Sequence, residues 1–485
     1  MKKLTIMMAF MLCFAVLFSS CGGAEHQNGS ESDTVLTSEN PGGSQNAPNT
    51  DKPSDSQEAP STDGGDSSQE VTDSEKASSE IVGDSQDSPD AEITPSVWNG
   101  TIAHSFAGGS GTEDDPYLIS TGSQLAYLAR EVNINDYNVY DKYHDKCFKL
   151  TNSIDLGGFE WDPIGCAYKG KSDFSKYRCF SGSFDGDGYT VSNFKITNPK
   201  YEYYSEFGLF GRIQDGSVSN LHIENFKIDV SLPNSTGIGY AGGLAGTCFG
   251  KISNCSATGE VNMYAPRQST VGGLVGVISD SDGVNNCRAS VDVSASSMYH
   301  AIAGGFAAVN RVNASNCYST GNVKVIGESR HNSAGGFFGI NVQATVSNCY
   351  SIGDVSIEHA TDPEGKSMIG GFIASHSGAT EKCYATGNVT VADAKPDCDI
   401  KAGCFVGLNE ESGIITDCYM CGQEVKVNID GMESGATNTL GTACTLEELN
   451  SAEFYTATLG WNAEVWDLSD LDFEDGKYPV LKSEK

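Results

Sequence analysis

Four tyrosines that recur at one position of a repeat are the residues best placed to bind a ligand. Each directly follows a recurring cysteine; they are Tyr318, Tyr350, Tyr384 and Tyr419. If the cysteines point inward, strand alternation turns the tyrosines outward, and stacking about 4.8 Å apart gives an exposed aromatic ladder. Such a strip can bind sugar rings or a protein partner. Stacked rings also stabilise a wall by about 0.5–1.5 kcal/mol per pair, so a purely structural role stays open.

Two aspartates in the segment FDGDGY suggest a calcium loop, but a turn explains them better. Asp185 and Asp187 lie two residues apart, whereas Gly188 occupies the position where a calcium loop needs its next ligand. Asp and Gly also tolerate the positive φ angles of tight turns. The pattern therefore predicts a turn between strands and no metal.

Two histidines could stack in neighbouring repeats. His300 and His331 both lie four residues before a glycine block. The adjacent repeats hold Gln268 and Lys366 at this position, so a zinc site would lack a third ligand. We expect exposed loop histidines without a metal.

Two common catalytic motifs do not occur in the sequence. It contains no His-Glu-x-x-His and no Gly-x-Ser-x-Gly. Aspartate and glutamate are plentiful, but none recurs in a register that would gather carboxylates on one face, as polysaccharide lyases and hydrolases require. We therefore predict neither an enzyme nor a cofactor. The net charge of −34 argues against binding to nucleic acid.

Three short sequence blocks recur every 30 to 35 residues and indicate the architecture. The first is rich in glycine, as in GGLVG (272–276), the second often ends in Asn-Cys, and the third ends in valine. A fixed period of this length without a helical pattern indicates a solenoid or a propeller. Each period holds three short strands, whereas a propeller blade needs four. The pattern predicts an all-β fold, a parallel β-helix of about seven coils.

Each block has a structural role in such a coil. Paired glycines would adopt positive φ at a tight corner and allow close backbone approach, with the Leu or Phe between them pointing inward. The asparagines would stack at another corner in the left-handed region. The cysteines would form a buried column of reduced thiols, because parallel Cβ vectors suit disulfides poorly. The residues concerned are Asn254, Asn286, Asn316 and Asn348, and Cys255, Cys287, Cys317, Cys349, Cys383 and Cys418.

The combination GGLVG and Asn-Cys resembles the GLUG motif, named for its Gly-Leu-(any)-Gly core. Segments 109–129, 180–196 and 459–481 are similar to those that bracket such repeats, whereas GGFAA, GGFIA and GCFVG depart from the motif and imply distorted corners. GLUG arrays occur in adhesin-like bacterial surface proteins and ahead of the peptidase in IgA-cleaving metalloproteases. The resemblance implies a surface protein, and the missing His-Glu-x-x-His implies that the peptidase is absent.

The N-terminal region indicates attachment to a membrane. Residues 1–20 contain two lysines, an apolar run and small residues before Cys21, which is the layout of a secretory signal. LFSSC resembles the lipobox of bacterial lipoproteins, which implies acylation of Cys21 and a lipid anchor. A plain signal peptide with a free thiol is the alternative. Residues 21–97 are rich in Ser, Asp and Glu, so we predict a disordered acidic tether.

Both ends of the predicted β-helix carry capping-box sequences. Thr-x-x-Gln at Thr121 and Thr-x-x-Glu at Thr445 predict short helices that close or flank the solenoid. We expect Trp461, Trp466 and Tyr478 to pack on the final coil.

The predicted domains are an N-terminal cap with the first coils (98–200), a GLUG-repeat β-helix (201–430) and a C-terminal cap (431–485). Together with the resemblance, these patterns predict a lipid-anchored protein of the bacterial cell envelope, exposed outside the cytoplasmic membrane. We expect a non-catalytic binding or adhesion module for an extracellular glycan or for a host or bacterial surface protein. A carbohydrate-active enzyme on the β-helix wall and a structural envelope protein are the alternatives.

Overall fold

The computed structural model describes residues 97–133, 143–165, 178–197, 204–232, 237–327, 329–360, 362 and 364–484. These residues form a β-solenoid of about nine turns with few helices, which confirms the predicted all-β parallel β-helix. The turns beyond the predicted seven come from short parallel strands that precede the first glycine block. The predicted signal peptide, Cys21 and nearly all of the predicted tether lie outside the described residues.

Three sheets form the walls of the solenoid. From Tyr204 onward each coil contributes to all three, whereas the earlier strands belong to only two of them. Wall 1 consists of the strands that lead into the glycine corners. These strands pair in the same register from coil to coil. Its seven strands are Tyr204–Phe207, Ile238–Ala241, Gln268–Gly272, His300–Gly304, His331–Gly335, Lys366–Gly370 and Asp399–Gly403.

Wall 2 follows the glycine corner and has two legs in the later coils, separated by a short loop. Its first leg is Phe210–Ser219, Ala245–Ser253, Val275–Ile278, Ala307–Asn310, Phe338–Asn341, Ile373–His376 and Val406–Asn409. Its second leg is Val284–Asn285, Ala314–Ser315, Thr345–Ser347, Ala379–Glu381 and Ile414–Thr416. At the N-terminal end the same sheet continues through Ser183–Asp185, Cys147–Leu150 and Tyr117–Ile119.

Wall 3 follows the asparagine corner. Its longer strands are His222–Ser231, Ser256–Tyr264, Arg288–Ser296, Val323–Ile326, Val355–Glu358, Val389–Ala394 and Val425–Ile429. Its short strands are Ile154–Asp155, Thr190–Ser192, Lys195–Ile196, Tyr318–Ser319, Tyr350–Ser351, Tyr384–Ala385, Tyr419–Cys421, Met432–Ser434 and Thr442–Cys444. Only Met432–Ser434 pairs antiparallel in this sheet as described.

The glycine corners work through close approach rather than through positive φ. None of the paired glycines has a φ in the left-handed region, so that part of the prediction is wrong. A Cβ on Gly273 would lie 2.1 Å from the carbonyl oxygen of Gly305 in the next coil, and one on Gly272 would lie 2.0 Å from that of Val275. The backbone therefore leaves no room for a side chain at these corners.

The inward columns form as predicted. The Leu and Phe of the glycine blocks are fully buried, and the rings of Phe337 and Phe372 stack 4.9 Å apart with an angle of 2°. The six repeat cysteines are free and buried in the same core. Burial raises the pKa of the Cys255 and Cys287 thiols well above the usual value, so these thiols are neutral.

The asparagine corner also forms as predicted. All four predicted asparagines have φ of 52° or 53°, in the left-handed region. Their amides form a ladder, in which Asn286 Nδ2 donates to Asn254 Oδ1 over 3.1 Å and Asn254 Nδ2 donates to Asn220 Oδ1 over 2.9 Å. Each side-chain amide therefore provides a hydrogen-bond partner for the asparagine side chain of the neighbouring coil.

Helices occur only near the two ends of the described chain. Helix α1 (Gly122–Asn133) buries Leu125 and Leu128 in the main core. Helix α2 (Leu446–Leu449) has a complete capping box at Thr445. It is followed by a π-helical turn at Phe454–Thr458, a two-stranded sheet of Trp466–Asp467 and Val480–Leu481, and a 3₁₀ turn at Lys482–Glu484. In the described part of the chain, no helix is long and apolar enough to span a membrane.

Candidate functional site

The four predicted tyrosines lie side by side on wall 3. Tyr318 pairs in register with Tyr350, Tyr350 with Tyr384, and Tyr384 with Tyr419. The rings of Tyr318 and Tyr350 stack 4.7 Å apart, and those of Tyr350 and Tyr384 lie 4.9 Å apart, both with an angle of 6°. The tyrosines belong to a second hydrophobic cluster, separate from the main core that holds the cysteines. The predicted ladder and its outward direction therefore exist.

The prediction that this ladder is exposed is wrong. Tyr350 and Tyr384 are 0 % exposed and Tyr318 is 3 % exposed; Tyr419 is half-buried. The C-terminal strap, residues 445–484, packs over the rings. Strand alternation shows only that a side chain points out of the coil. Its exposure to solvent depends on whether a segment distant in sequence packs over it. In this structure the ladder is the inner side of a packed interface and does not offer an exposed binding strip.

The strap runs back along wall 3 and reaches coils far from its own position in sequence. Trp461 Nε1 donates to the carbonyl of Lys382 over 2.9 Å, and the Tyr350 hydroxyl donates to the carbonyl of Pro479 over 2.6 Å. The Tyr318 hydroxyl donates to Glu484 over 2.9 Å. The prediction that the C-terminal tryptophans pack on the final coil is therefore wrong.

The other aromatic residues complete this interface. Trp466 lies 5.9 Å from Tyr350 and 4.5 Å from Trp461, measured between ring centroids. Tyr478 packs against Phe473 within the strap, 5.2 Å away. At the far end of the strap, Glu484 forms an ion pair of 2.9 Å with Arg288. The strap thus joins coils that are distant in sequence by aromatic packing and one charged contact.

Beyond the strap, wall 3 keeps a regular exposed row that the sequence analysis missed. We call it the polar row; its members are Asp292, Asn322, Asp354, Asn388 and Glu424, all exposed. The backbone N–H of each member after Asp292 donates to the side chain of the member one coil earlier, over 2.8 to 3.1 Å. Aspartate and asparagine alternate, which keeps carboxylates from lying directly over one another.

The signal for this row was present in the third sequence block. The residue before its valine is Asp, Asn or Glu in every coil from Asp292 to Glu424. The expectation that no acidic residue recurs in register is therefore wrong.

A second outward row runs beside the polar row in the same register and carries hydroxyl and ammonium groups. Its members are Ser294, Lys324, Ser356, Thr390 and Lys426. Together the two rows present hydrogen-bonding groups repeated at the coil spacing, about 4.8 Å.

The histidine pair stacks, but on strands rather than in exposed loops. The rings of His300 and His331 lie 5.1 Å apart with an angle of 18° on wall 1, where both are half-buried. Gln268 and Lys366 pair with them in register, as predicted. Burial, followed by the charge of a protonated His331, lowers the pKa of His300 to about 4. The expectation of exposed loop histidines is wrong.

The FDGDGY segment is a turn, as predicted. Asp187 has φ 51°, and its N–H donates to Asp185 Oδ1 over 3.0 Å. Asn220 Nδ2 also donates to Asp185, and Lys149 forms an ion pair of 3.0 Å with Asp187. In the part of the chain that the structure describes, no group of three or more His, Cys, Asp or Glu is placed to hold a metal ion.

A buried ion pair near the first glycine corner was also not predicted from the sequence. Arg212 Nη1 lies 3.0 Å from Glu206 Oε1, and the Thr247 hydroxyl donates to the same oxygen over 2.8 Å. Burial raises the pKa of Glu206, opposed by the charge of Arg212. The pair joins a wall 1 strand to a wall 2 strand, and both side chains are used in structural contacts. No periodic signal marks it, because it occurs in a single coil.

Comparisons with known proteins give distant similarities. No protein-family profile matches the chain. The chain is 31 % identical over 207 residues to a protein named "Halomucin" from Haloquadratum walsbyi, covering 42 % of this chain and 2 % of that protein. It is 32 % identical over 157 residues to a "Putative Gly-rich membrane protein" from Evansella cellulosilytica, covering 31 % of this chain and 15 % of that one. The chain thus spans a small part of both relatives.

A solved structure similar to this chain is that of a "putative immunoglobulin A1 protease" from Bacteroides ovatus. It is 20 % identical, covers 78 % of this chain and 96 % of its own, and has a TM-score of 0.44.

Proposed function

We propose that this protein is a non-catalytic binding module of the bacterial cell surface, of the GLUG-repeat type, that recognises an extracellular glycan or a surface protein. The observation that carries the proposal is the exposed polar row on wall 3 with its neighbouring row of hydroxyl and ammonium groups. A polymer with repeating polar groups can pair with side chains repeated at the coil spacing, so that each coil adds a similar contact. The tyrosine ladder, which the strap covers, is not part of this proposed surface.

The cell-surface location is part of the same proposal. One relative is named as a membrane protein, and the N-terminal sequence resembles a lipoprotein signal. An acylated Cys21 would hold the chain on a membrane without a spanning helix. Incorporation of an alkyne-labelled fatty acid into the full chain, and its loss in Cys21→Ser, tests the anchor separately from ligand binding.

Binding of the full chain to glycan and surface-protein arrays tests the function itself. We expect hits that weaken at least about tenfold in Asp354→Ala/Asn388→Ala, which removes two members of the polar row. The matched control is Asp399→Ala/Lys401→Ala, which removes two side chains from wall 1 and should leave binding unchanged.

Each alternative function gives a different result in the same assay. New reducing ends or unsaturated products from a bound glycan would identify a carbohydrate-active enzyme and contradict the proposal. A folded chain that binds nothing on either array would identify a structural envelope protein. Hits that survive loss of Asp354 and Asn388 would show that the polar row is not the binding surface.

A further inference from the structure

The last coil leaves two neighbouring strand edges without a partner. Wall 1 is continued by a bridge between Gly403 and Asn438, and wall 3 is continued by Met432–Ser434 and Thr442–Cys444. Among the described residues no strand pairs with the outer side of Val406–Asn409 or Ile414–Thr416, the two legs of wall 2. The closing segments therefore cover walls 1 and 3 and stop short of wall 2.

Backbone hydrogen bonds identify the amide that faces this open side. Ile414 N–H donates to Gly378 in the preceding coil, and the carbonyl of Thr416 accepts from Lys382. Alternate residues of a parallel strand bond to opposite neighbours, so the N–H and C=O of Ile415 point away from the preceding coil. Ile414 is 61 % exposed, and Ile415 is half-buried against the main core. An added strand would satisfy this backbone and cover both isoleucines.

The charge around this edge specifies what could bind there. From residue 404 to 417, the stretch that contains the two open strands and the turn between them, the chain has three acidic residues and no basic residue. Glu410 and Glu411 lie in the turn between the two open strands, and Asp417 directly follows the second.

Two acceptor atoms at the same edge also lack donors. Asn409 Oδ1 and Glu410 Oε1 are buried and have no hydrogen-bond partner among the described residues. Buried acceptors of this kind are normally paired, so they favour an occupant that brings N–H groups and positive charge. A second copy of this chain would instead bring an identical acidic edge into contact with the first.

We propose that the wall 2 edge of the last coil binds an extended basic segment of another protein by strand addition. Main-chain hydrogen bonds to Ile415 supply affinity, and Lys or Arg side chains of the partner pair with Glu410, Glu411 and Asp417. This proposal rests on the proposed binding function and names a second surface, distinct from the polar row, with a protein partner.

Fluorescent peptides and the full chain test this edge. The probe is an eight-residue peptide of alternating Lys and Val; the control replaces every Lys with Glu. We expect saturable binding of the Lys peptide, at least about tenfold tighter than the Glu peptide and weakened by high salt. Glu410→Gln/Glu411→Gln should weaken it, whereas Glu433→Gln, which removes an exposed charge from wall 3, should not.

Two N-methylated forms of the Lys peptide separate strand addition from simple charge attraction. Methylation of one alternate set of amides blocks the peptide edge that pairs with the protein, and methylation of the other set leaves that edge free. We expect binding to be lost for one form and kept for the other. Equal binding of both forms would overturn strand addition.

Amide hydrogen exchange of Ile415 gives an independent readout. In the free chain we expect Ile415 to exchange faster than Ile414 and Thr416, and to become protected when the Lys peptide binds. If protection of Ile415 instead rises with protein concentration and sedimentation shows a dimer, the edge binds a second copy and the proposal is wrong. If the Lys peptide does not bind the full chain while the array hits remain, the proposed binding at this edge is wrong and the proposed function still stands.

Discussion

The two ends of wall 2 differ, because one strand edge is covered and the other is open. At the N-terminal end, the outer side of Tyr117–Ile119 is covered by an antiparallel contact, in which Leu118 N–H donates to Gly108 and Ala107 N–H donates to Leu118. Helix α1 then adds side chains directly to the main core. At the C-terminal end, the strap packs along the outside of wall 3 and leaves the wall 2 edge unpaired. A lateral strap stabilises the coils without closing the strand edge.

This difference predicts where the largest mutational effects will appear. Trp466→Ala should cost about 3–5 kcal/mol, because it removes a fully buried ring that packs against Tyr350 and Trp461. Because the strap cluster is separate from the main core, we expect the loss of stability to be local. Hydrogen exchange should become faster in the strap and in the coils that carry the tyrosine ladder, and should stay unchanged in α1. Leu128→Ala in α1 should open the N-terminal coils instead.

Trp466→Phe is the matched control for this experiment. It keeps an aromatic ring in the cluster and removes an Nε1–H that has no partner among the described residues. We expect it to cost under about 1.5 kcal/mol. If Trp466→Ala instead unfolded both ends together, the solenoid would be a single cooperative unit and the comparison of the two ends would fail.

Acid should weaken the region between the ends through the histidine pair. Burial lowers the pKa of His300 to about 4, below its value in the unfolded chain, so the unfolded chain binds the proton first. Stability is full above the unfolded pKa, near 6.5, and falls as the pH drops towards 4, by about 2–3 kcal/mol. Denaturant unfolding at several pH values measures this loss.

The control for the acid effect comes from the chain itself. His300→Gln introduces the residue that the adjacent coil carries, Gln268, and should reduce the loss of stability between about pH 6.5 and 4. The lowered pKa values of His222, His331 and His376 leave part of that loss in place. Regional hydrogen exchange should show wall 1 opening before α1 or the strap. Equal pH dependence of the wild type and His300→Gln would contradict the assignment.

Periodic features were predictable from the sequence, and contacts between distant segments were not. The stacked Asn286 and Cys287 columns and the Phe337 column follow from repetition, because each coil places like residues in register. The cover over Tyr350 depends on residues more than 100 positions away, which no local pattern encodes. The buried pair of Glu206 and Arg212 was missed for a different reason: it occurs in a single coil, so no periodic signal marks it.

A local pattern can also be recognised correctly and explained only in part. For the paired glycines at Gly272, close backbone approach was predicted correctly, whereas the positive φ predicted with it is absent. The third block was recognised as a repeat without seeing that its Asp and Asn side chains bind the backbone of the next coil. The contact made by these Asp and Asn side chains lies between coils, where a single repeat carries no information about it.

The two N-cap threonines allow a smaller test of the two ends. Thr121 Oγ1 accepts from Gln124 N–H over 3.3 Å, while the Gln124 side chain accepts from Ser120 N–H over 2.9 Å. Thr445 Oγ1 accepts from Glu448 N–H over 3.2 Å. Thr121→Ala and Thr445→Ala should each cost about 1 kcal/mol. We expect each loss only at its own end in hydrogen exchange, and the corresponding Ser variants should restore most of it.

The smallest expected effect concerns the charged tip of the strap. Burial raises the pKa of Glu484, opposed by Arg288 and by the hydrogen bond from Tyr318. A carboxyl whose folded pKa is raised contributes stability that is full below its unfolded pKa and lost as the pH rises through the folded pKa. Exchange in the strap, corrected for the intrinsic rate, should therefore be slower at mildly acidic pH than at pH 8. Glu484→Gln should abolish this difference in the strap and leave exchange at the N-terminal end unchanged. If exchange in the strap instead becomes slower as the pH rises, the ion pair with Arg288 has a larger effect on the Glu484 pKa than burial has.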